Sequence, residues 1–338
     1  MTTCPVHTMG LLSEGQVRQR PLVVLLGPTA VGKSRVGIEI AKRLDTDILT
    51  ADSRQVYRGM NVGTDKPPLP AREGIAHHLI DLLEPDEPFN AGVFRGYAAQ
   101  LIEALYQRRR LPLVVGGTGL YMRILLQGLC EAPPSDPSVR AQLCAEARDQ
   151  GHERLYARLT ATDPVGAAKL HPRDTSKIIR ALEVHQLSGV PLSSFQAGHG
   201  FADRRYSALV IGLNREREDL YRRIEERIDW QLANGLVEET RHLLDRGYRR
   251  DARSMTGLGY RHVAAYLAGE LERTEMVRLF KRDTRRFAKR QMTWFRREAE
   301  TNWLMIGPSE SLEQTVARAM HLIDPFLSAL DADGETTA

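Results

Sequence analysis

Short apolar runs that end at glycine alternate along this chain with segments whose apolar residues recur every three or four positions, the pattern of parallel strands joined by helices. Pro21 to Leu26 (PLVVLL) is uninterrupted and partly β-branched, and it stops at Gly27. After Lys33 the spacing of Val36, Ile40 and Leu44 predicts a helix. A second strand is expected at Asp47 to Thr50 and a third at Leu113 to Val115, the latter preceded by a helix through Phe94, Tyr97, Leu101 and Leu105. The run Ala132-Pro133-Pro134-Ser135-Asp136-Pro137 breaks the alternation. From there to about Ser194 the periodicity is helical without a strand, and Gln196-Ala197-Gly198-His199-Gly200 reads as the loop that closes an insertion. Tyr206 to Leu213 (YSALVIGL) then reads as a strand returning to the core, and the remainder is helical until a last short strand at Trp303 to Ile306. The expectation is an α/β fold: a parallel sheet flanked by helices from residues 21–132 and 205–308, with an all-helical lobe inserted at 133–204. Residues 1–20 read as a loose extension, and 309–338 as a helix whose tail frays from Asp331.

Composition narrows this picture more than it changes it. The 338 residues are 42% hydrophobic and 27% charged, an ordinary globular balance with room for one core and an inserted lobe. No apolar run approaches the ~20 residues that span a bilayer. Met9, Leu11 and Leu12 stand among polar neighbours without a continuous apolar stretch and cleavage site, which does not read as a secretory signal. Cys4, Cys130 and Cys144 lack metal-like spacing, so neither a disulfide framework nor a zinc site is expected, and a reducing cytoplasm fits best. The net charge is only +4, yet from Arg241 to Arg297 sixteen Lys or Arg stand against six Asp or Glu. That asymmetry suits a polyanion, and equally a well-solvated helical surface.

Gly27-Pro28-Thr29-Ala30-Val31-Gly32-Lys33-Ser34 matches G-x-x-x-x-G-K-[ST] between a strand and a helix, the context in which that pattern has a physical meaning. Glycines let successive N–H groups curl toward an anion, the helix N-terminus adds positive potential, Lys33 supplies a mobile charge, and the Ser34 hydroxyl can ligate Mg²⁺. The core is therefore expected to be P-loop NTPase-like. The loop by itself indicates nucleotide binding, ATP first, and leaves the reaction open.

Three further segments bear on the choice. Asp52, in Thr50-Ala51-Asp52-Ser53-Arg54-Gln55-Val56-Tyr57, sits where a strand ends and active-site groups of open sheets gather; it is a candidate base or metal ligand, or a simple helix cap. Gly116-Gly117-Thr118-Gly119-Leu120-Tyr121 offers close backbone approach and the Thr118 hydroxyl at the same edge, or only a tight turn. His77-His78 point to opposite faces and carry no metal expectation. Farther on, Arg278, Lys281, Arg282, Arg285, Arg286, Lys289, Arg290 and Arg296 recur at helical spacing, with Phe280, Phe287 and Trp294 at intervals of seven. One helix with a basic face for a phosphate backbone and an apolar face for the core is the expectation.

Together these residues resemble the tRNA dimethylallyltransferase family, also called tRNA isopentenyltransferases, in its bacterial type. Gly27 to Ser34, Asp52 to Tyr57, His77 to Asp81, Gly116 to Tyr121, Ile179 to Glu183, Gly235 to Glu239, Gly259-Tyr260 and Ala288 to Arg296 stand in the family's order, and the likeness runs from about residue 21 to 307. The resemblance implies transfer of a dimethylallyl group from dimethylallyl diphosphate to the exocyclic amine of the adenosine on the 3′ side of the anticodon in tRNA. It implies that the loop holds the diphosphate with Mg²⁺, Lys33 and Arg227, although Arg227 also has Glu225 and Glu226 as candidate ion-pair partners. Asp52 is implied as the base and Thr118 as the group orienting the amine or the leaving oxygen. Contacts to the anticodon stem-loop are implied for Asp52, Ser53, Arg54, Gln55 and Thr118; for Arg140, Ser176, Lys177, Ile178, Ile179 and Arg180 in the lobe; for Thr256, Gly257, Leu258, Gly259, Tyr260 and Arg261; and for Lys289, Arg290, Gln291, Met292, Thr293, Trp294, Phe295 and Arg296. A monomer is the default.

Overall fold

The structure, a computed structural model, describes residues 11–200, 203–297 and 300–335. The chain opens with helix α1 (Glu14–Arg18), which Ser13 and Gln16 cap reciprocally. There follow β1 (Pro21–Leu26), α2 (Lys33–Leu44), β2 (Ile48–Ala51), β3 (His77–His78), α3 (Ala91–Gln107), β4 (Leu113–Gly116) and α4 (Gly119–Gln127). Strand β5 (Ser207–Arg215) leads into α10 (Arg217–Ala233) after the five lobe helices, then α11 (Leu236–Asp245), α12 (Tyr260–Leu267), α13 (Arg273–Phe295), β6 (Thr301–Ile306) and α14 (Leu312–Glu335).

The six strands form one sheet in the order β3-β2-β4-β1-β5-β6, and every pairing is parallel. All residues of β1, β2 and β4 are buried, as befits strands covered by helices on both faces, which is why they appear in the sequence as unbroken apolar runs. Because the strands run in one direction, the loops after β1, β2 and β4 emerge along a single edge of the sheet. Gly27 begins the first of these loops at φ 154°, and a Cβ there would lie 2.5 Å from the Leu213 carbonyl oxygen of β5. No other residue fits that position without displacing backbone.

The chain divides into two compact units, one of them Gln127–Arg204 and the other the remainder. The Gln127–Arg204 unit contains α5 (Pro137–Gln150), α6 (His152–Thr162), α7 (Pro164–Ala167), α8 (Thr175–Ser188) and α9 (Leu192–His199), built around Leu143, Leu155, Leu159, Ile178, Ile179 and Leu182. It begins ahead of the proline-rich break at which the sequence pattern sets the lobe's start. Glu183 is fully buried there and accepts from Ser135 Oγ, the Asp136 amide, Arg140 and Arg180, which together offset the desolvation of its charge.

Three sequence expectations are corrected. Gln196 to His199 belongs to α9, and only Gly200, in the left-handed conformation at φ 57°, ends it; a single interior glycine does not break a helix with tertiary support. Residues 11–20 are not loose: Leu12 is buried, its amide donates to Arg109 O (2.7 Å), and Gln16 and Gln19 donate to the Leu327 and Leu330 carbonyls of α14. Helix α14 accommodates Pro325 in its interior, passes Asp331 and continues to Glu335. No helix among the described residues is long and apolar enough to cross a membrane.

Candidate active site

The loop from Gly27 to Ser34 curls with Ala30 at φ 64° and Gly32 at φ 112° and ends in the N-terminus of α2. Lys33 Nζ lies back over the loop and donates to Pro28 O at 2.8 Å. Burial pushes this ammonium down to about 8; Asp52 and Asp65 act against the shift, and Arg227 adds to it. The Ser34 hydroxyl is exposed at the first turn of α2 and makes no hydrogen bond among the described residues.

Three arginines arriving from β5 and α10 hold the loop from behind. Arg227 donates to Thr29 Oγ1 at 2.7 Å and reaches Asp65 at 3.4 Å, while its Nε is buried without a partner among the described residues. Its neighbours Glu225 and Glu226 are taken by Arg285 and Arg222, so the surface ion pair weighed from sequence does not form. Arg223 Nε donates to Ala30 O at 3.1 Å and Arg215 Nε to Val31 O at 3.0 Å. Sequence reading missed these two; the signal that could have found Arg223 is its i,i+4 spacing to Arg227 on one helix face.

Asp52 caps the turn after β2 through one carboxylate oxygen. Oδ1 accepts from the amides of Arg54 (2.8 Å) and Gln55 (3.3 Å), capping the turn, while Oδ2 has no hydrogen-bond partner among the described residues. Thr118 is tied to the same turn: its amide donates to Ala51 O (3.3 Å) and its Oγ1 accepts from the Ser53 amide (3.1 Å). The hydroxyl proton of Thr118 is thereby left to donate elsewhere. Behind them Tyr121 stacks on Phe94 at 4.3 Å, and its buried hydroxyl has no partner among the described residues.

The residues expected to meet RNA divide by burial. Gln55 is buried and donates to Thr64 O and Asp65 O; Tyr260, 1% exposed, donates to Glu239, which also accepts from the amides of Asn61, Val62 and Gly63. Ile178 and Ile179 belong to the lobe core, and Gly257, Gly259, Gln291, Met292 and Phe295 are likewise enclosed. The side chains of these residues, or their lack of one, serve packing and internal hydrogen bonds. Ser53 and Leu258 are half-buried, and Arg54 is turned onto the carbonyls of Arg253 and Ser254. Thr256 and Arg261 are exposed, the latter paired with Asp283 at 2.6 Å. In the lobe, Ser176 and Lys177 are exposed, while Arg140 and Arg180 stay partly exposed although bound to Glu183.

The long basic helix is divided along its length. Arg278, Lys281, Arg282 and Arg285 pair with Glu275, Asp229, Asp283 and Glu225. Arg286, Lys289, Arg290 and Arg296, all exposed, have no acidic partner among the described residues. The buried stripe of α13 is Met276, Phe280, Thr284, Ala288, Gln291, Met292 and Phe295, so of the three aromatics spaced by seven only Phe280 lies in it. Phe287 and Trp294 are half-buried. Trp294 covers Gly119, where a Cβ would lie 2.2 Å from its ring, and carries Arg123 on its face at 4.5 Å. Exposed Thr293 spends its hydroxyl on Lys289 O.

His78 is hydrogen-bonded to Asp47 and His77 to Ile75 O, both at 2.9 Å. Among the described residues no group of three or more His, Cys, Asp or Glu could hold a metal ion.

The profile of the family described as IPP transferase matches residues 55–298. A tRNA dimethylallyltransferase of Geobacter metallireducens is 48% identical over 301 residues, 89% of this chain and 97% of that protein. The solved structure of a full-length tRNA isopentenylpyrophosphate transferase from Bacillus halodurans has a TM-score of 0.70 at 35% identity, covering 93% of this chain and 98% of that one. A eukaryotic dimethylallyltransferase acting on tRNA shares the fold, with a TM-score of 0.78 at 24% identity and coverage of 92% and 80%. With the profile spanning most of the chain and a relative close to half identical over nearly all of it, this chain belongs to the IPP transferase family.

Proposed function

We propose that this chain transfers a dimethylallyl group from dimethylallyl diphosphate to the exocyclic amine of the adenosine 3′-adjacent to the anticodon in tRNA, releasing diphosphate and leaving N6-isopentenyladenosine. The observation that carries this reading is the meeting, on one sheet edge, of an anion loop backed by Arg227 and Lys33 with a carboxylate that keeps one oxygen open beside Thr118. In the reaction a bond forms between the amine nitrogen and C1 of the prenyl group, and the bond from C1 to the diphosphate oxygen breaks. Asp52 Oδ2 takes the amine proton, which matters because the lone pair of that nitrogen is delocalised into the purine ring. Thr118 Oγ1 donates to the amine or to the leaving oxygen. Lys33, Arg227 and the N–H groups of the loop offset the charge that collects on the diphosphate. The donor set suits Mg²⁺: one free hydroxyl, Ser34, matches an ion that keeps several waters and takes most of its ligands from substrate phosphates. Once bound, the ion would neutralise part of the leaving-group charge.

The anticodon stem-loop is the proposed RNA ligand, with the reactive base turned out of its stack to reach the sheet edge. The exposed Arg286, Lys289, Arg290 and Arg296 supply a phosphate-tracking surface, and Ser176, Lys177, Arg140 and Arg180 supply another within the lobe. A monomer in the cytoplasm completes the reading. The test incubates enzyme and Mg²⁺ with unmodified tRNA and labelled dimethylallyl diphosphate, and separately with labelled ATP. Prenyl label is expected in tRNA, and Asp52→Asn is expected to lower single-turnover transfer by about 10²–10⁴-fold without loss of tRNA binding. Label entering tRNA only from ATP overturns the proposal.

A further inference from the structure

Helix α13 buries an uncharged polar side chain where its stripe meets the loops after β1 and β4. Gln291 is 8% exposed, and both ends of its amide are used. Oε1 accepts from the Thr29 amide at 2.9 Å, inside the loop after β1; Nε2 donates to Gly117 O at 2.8 Å, inside the loop after β4. One side chain therefore joins the anion loop to the loop that carries Thr118, across sequence separations of 262 and 174 residues. Its neighbour three residues on, Trp294, packs on Gly119 of that second loop, so the end of α13 is keyed into the same place twice. A Cβ at residue 117 would fall 2.7 Å from Gln291 Nε2 and 3.6 Å from Lys33 Nζ, so both side chains border Gly117.

A tie of this kind has a chemical consequence. The Thr29 N–H is one of the donors that an anion loop directs around its ligand, and Gln291 withdraws it into the protein, fixing which way the Thr29 peptide faces and where Thr29 Oγ1 meets Arg227. The Gly117 carbonyl is held by the same amide, so the spacing between the diphosphate and Thr118 is set by one rigid group. Lys289 and Arg290, in the same helix turn, are exposed where Gln291 is buried. We propose that Gln291 is a positioning residue for the diphosphate and for Thr118, and not a contact to RNA. This rests on the proposed function for the identity of the ligand, and its test separates the two.

The test uses the full chain and three measurements: calorimetric binding of inorganic diphosphate with Mg²⁺, binding of unmodified tRNA, and steady-state prenyl transfer. Gln291→Met keeps length and burial but neither donates nor accepts in the same way, and Lys289→Ala removes an exposed charge. For Gln291→Met, diphosphate binding and the KM for the prenyl diphosphate are expected to weaken about tenfold, with a fall in kcat and with tRNA affinity within about twofold of wild type. For Lys289→Ala the reverse is expected: weaker tRNA binding and unchanged diphosphate binding. Diphosphate affinity in Gln291→Met equal to that of wild type overturns the inference, as does a loss confined to tRNA affinity. A defect that merely reflects a loosened fold would lower the melting temperature and weaken both ligands together, which also counts against it. Failure of the wild-type protein to bind diphosphate would instead sink the proposed function.

Discussion

Lys33 shows how burial of a single side chain can be read as a property of its ligand. Lysine ordinarily titrates near 10.5 and here is pushed down to about 8, so between these values the folded chain holds fewer protons than the unfolded one. Stability of the ligand-free protein therefore rises with pH across that window, and near neutrality the enclosed ammonium is a cost that a diphosphate relieves. Binding should take up a proton and weaken as pH climbs through about 8. Diphosphate itself titrates, so the readout is the difference between wild type and Lys33→Met in calorimetric affinity at about pH 7 and 9; an identical pH dependence in the two would contradict the assignment. The loop around Lys33 was legible from sequence because an anion site of this kind is contiguous: eight neighbouring residues carry all of its backbone chemistry. Arg215, Arg223 and Gln291 were not legible in that role, since each acts on the loop from far along the chain and only the folded sheet brings them there.

At the scale of the element, α13 repays comparison with its sequence. Its apolar residues alone suggest a seven-residue repeat, whereas the buried stripe follows the helix and includes Thr284 and Gln291, which a hydrophobicity pattern hides. Thr284 satisfies itself on Phe280 O, and Gln291 spends its amide on the ligand loops. The basic face likewise separates into a half paired with carboxylates of α10 and α13 and an open half near the C-terminal end. Charge reversal of Lys289 or Arg290 should weaken tRNA binding and lower the slope of log affinity against log salt by about one per residue. Reversal of Arg278, already bound to Glu275, should change that slope little. Filter binding across a salt series measures both, and equal slopes for the two groups of variants would refute the division.

Across the whole molecule, the sheet and its helices were legible because buried parallel strands keep continuous apolar runs and the prolines of 132–137 mark the insertion. The N-terminal segment was not, because Gln16 and Gln19 fasten it to backbone carbonyls of α14, contacts that leave no periodic trace. The Gln127–Arg204 unit has its own core and a buried glutamate satisfied wholly within it, so the isolated fragment should give a helical circular dichroism spectrum and a cooperative thermal transition. A featureless melt would show that this core is insufficient alone. The strand pairing also orders events during synthesis. Strand β1 leaves the ribosome early but lies between β4 and β5, and Pro21 faces Ser207 in its register. A growing chain must therefore carry an unpaired, wholly apolar strand edge until the lobe and β5 have been made. The nascent protein is thus most exposed to misassembly and to chaperone capture during translation of the lobe, and release from that hazard comes only as β5 docks.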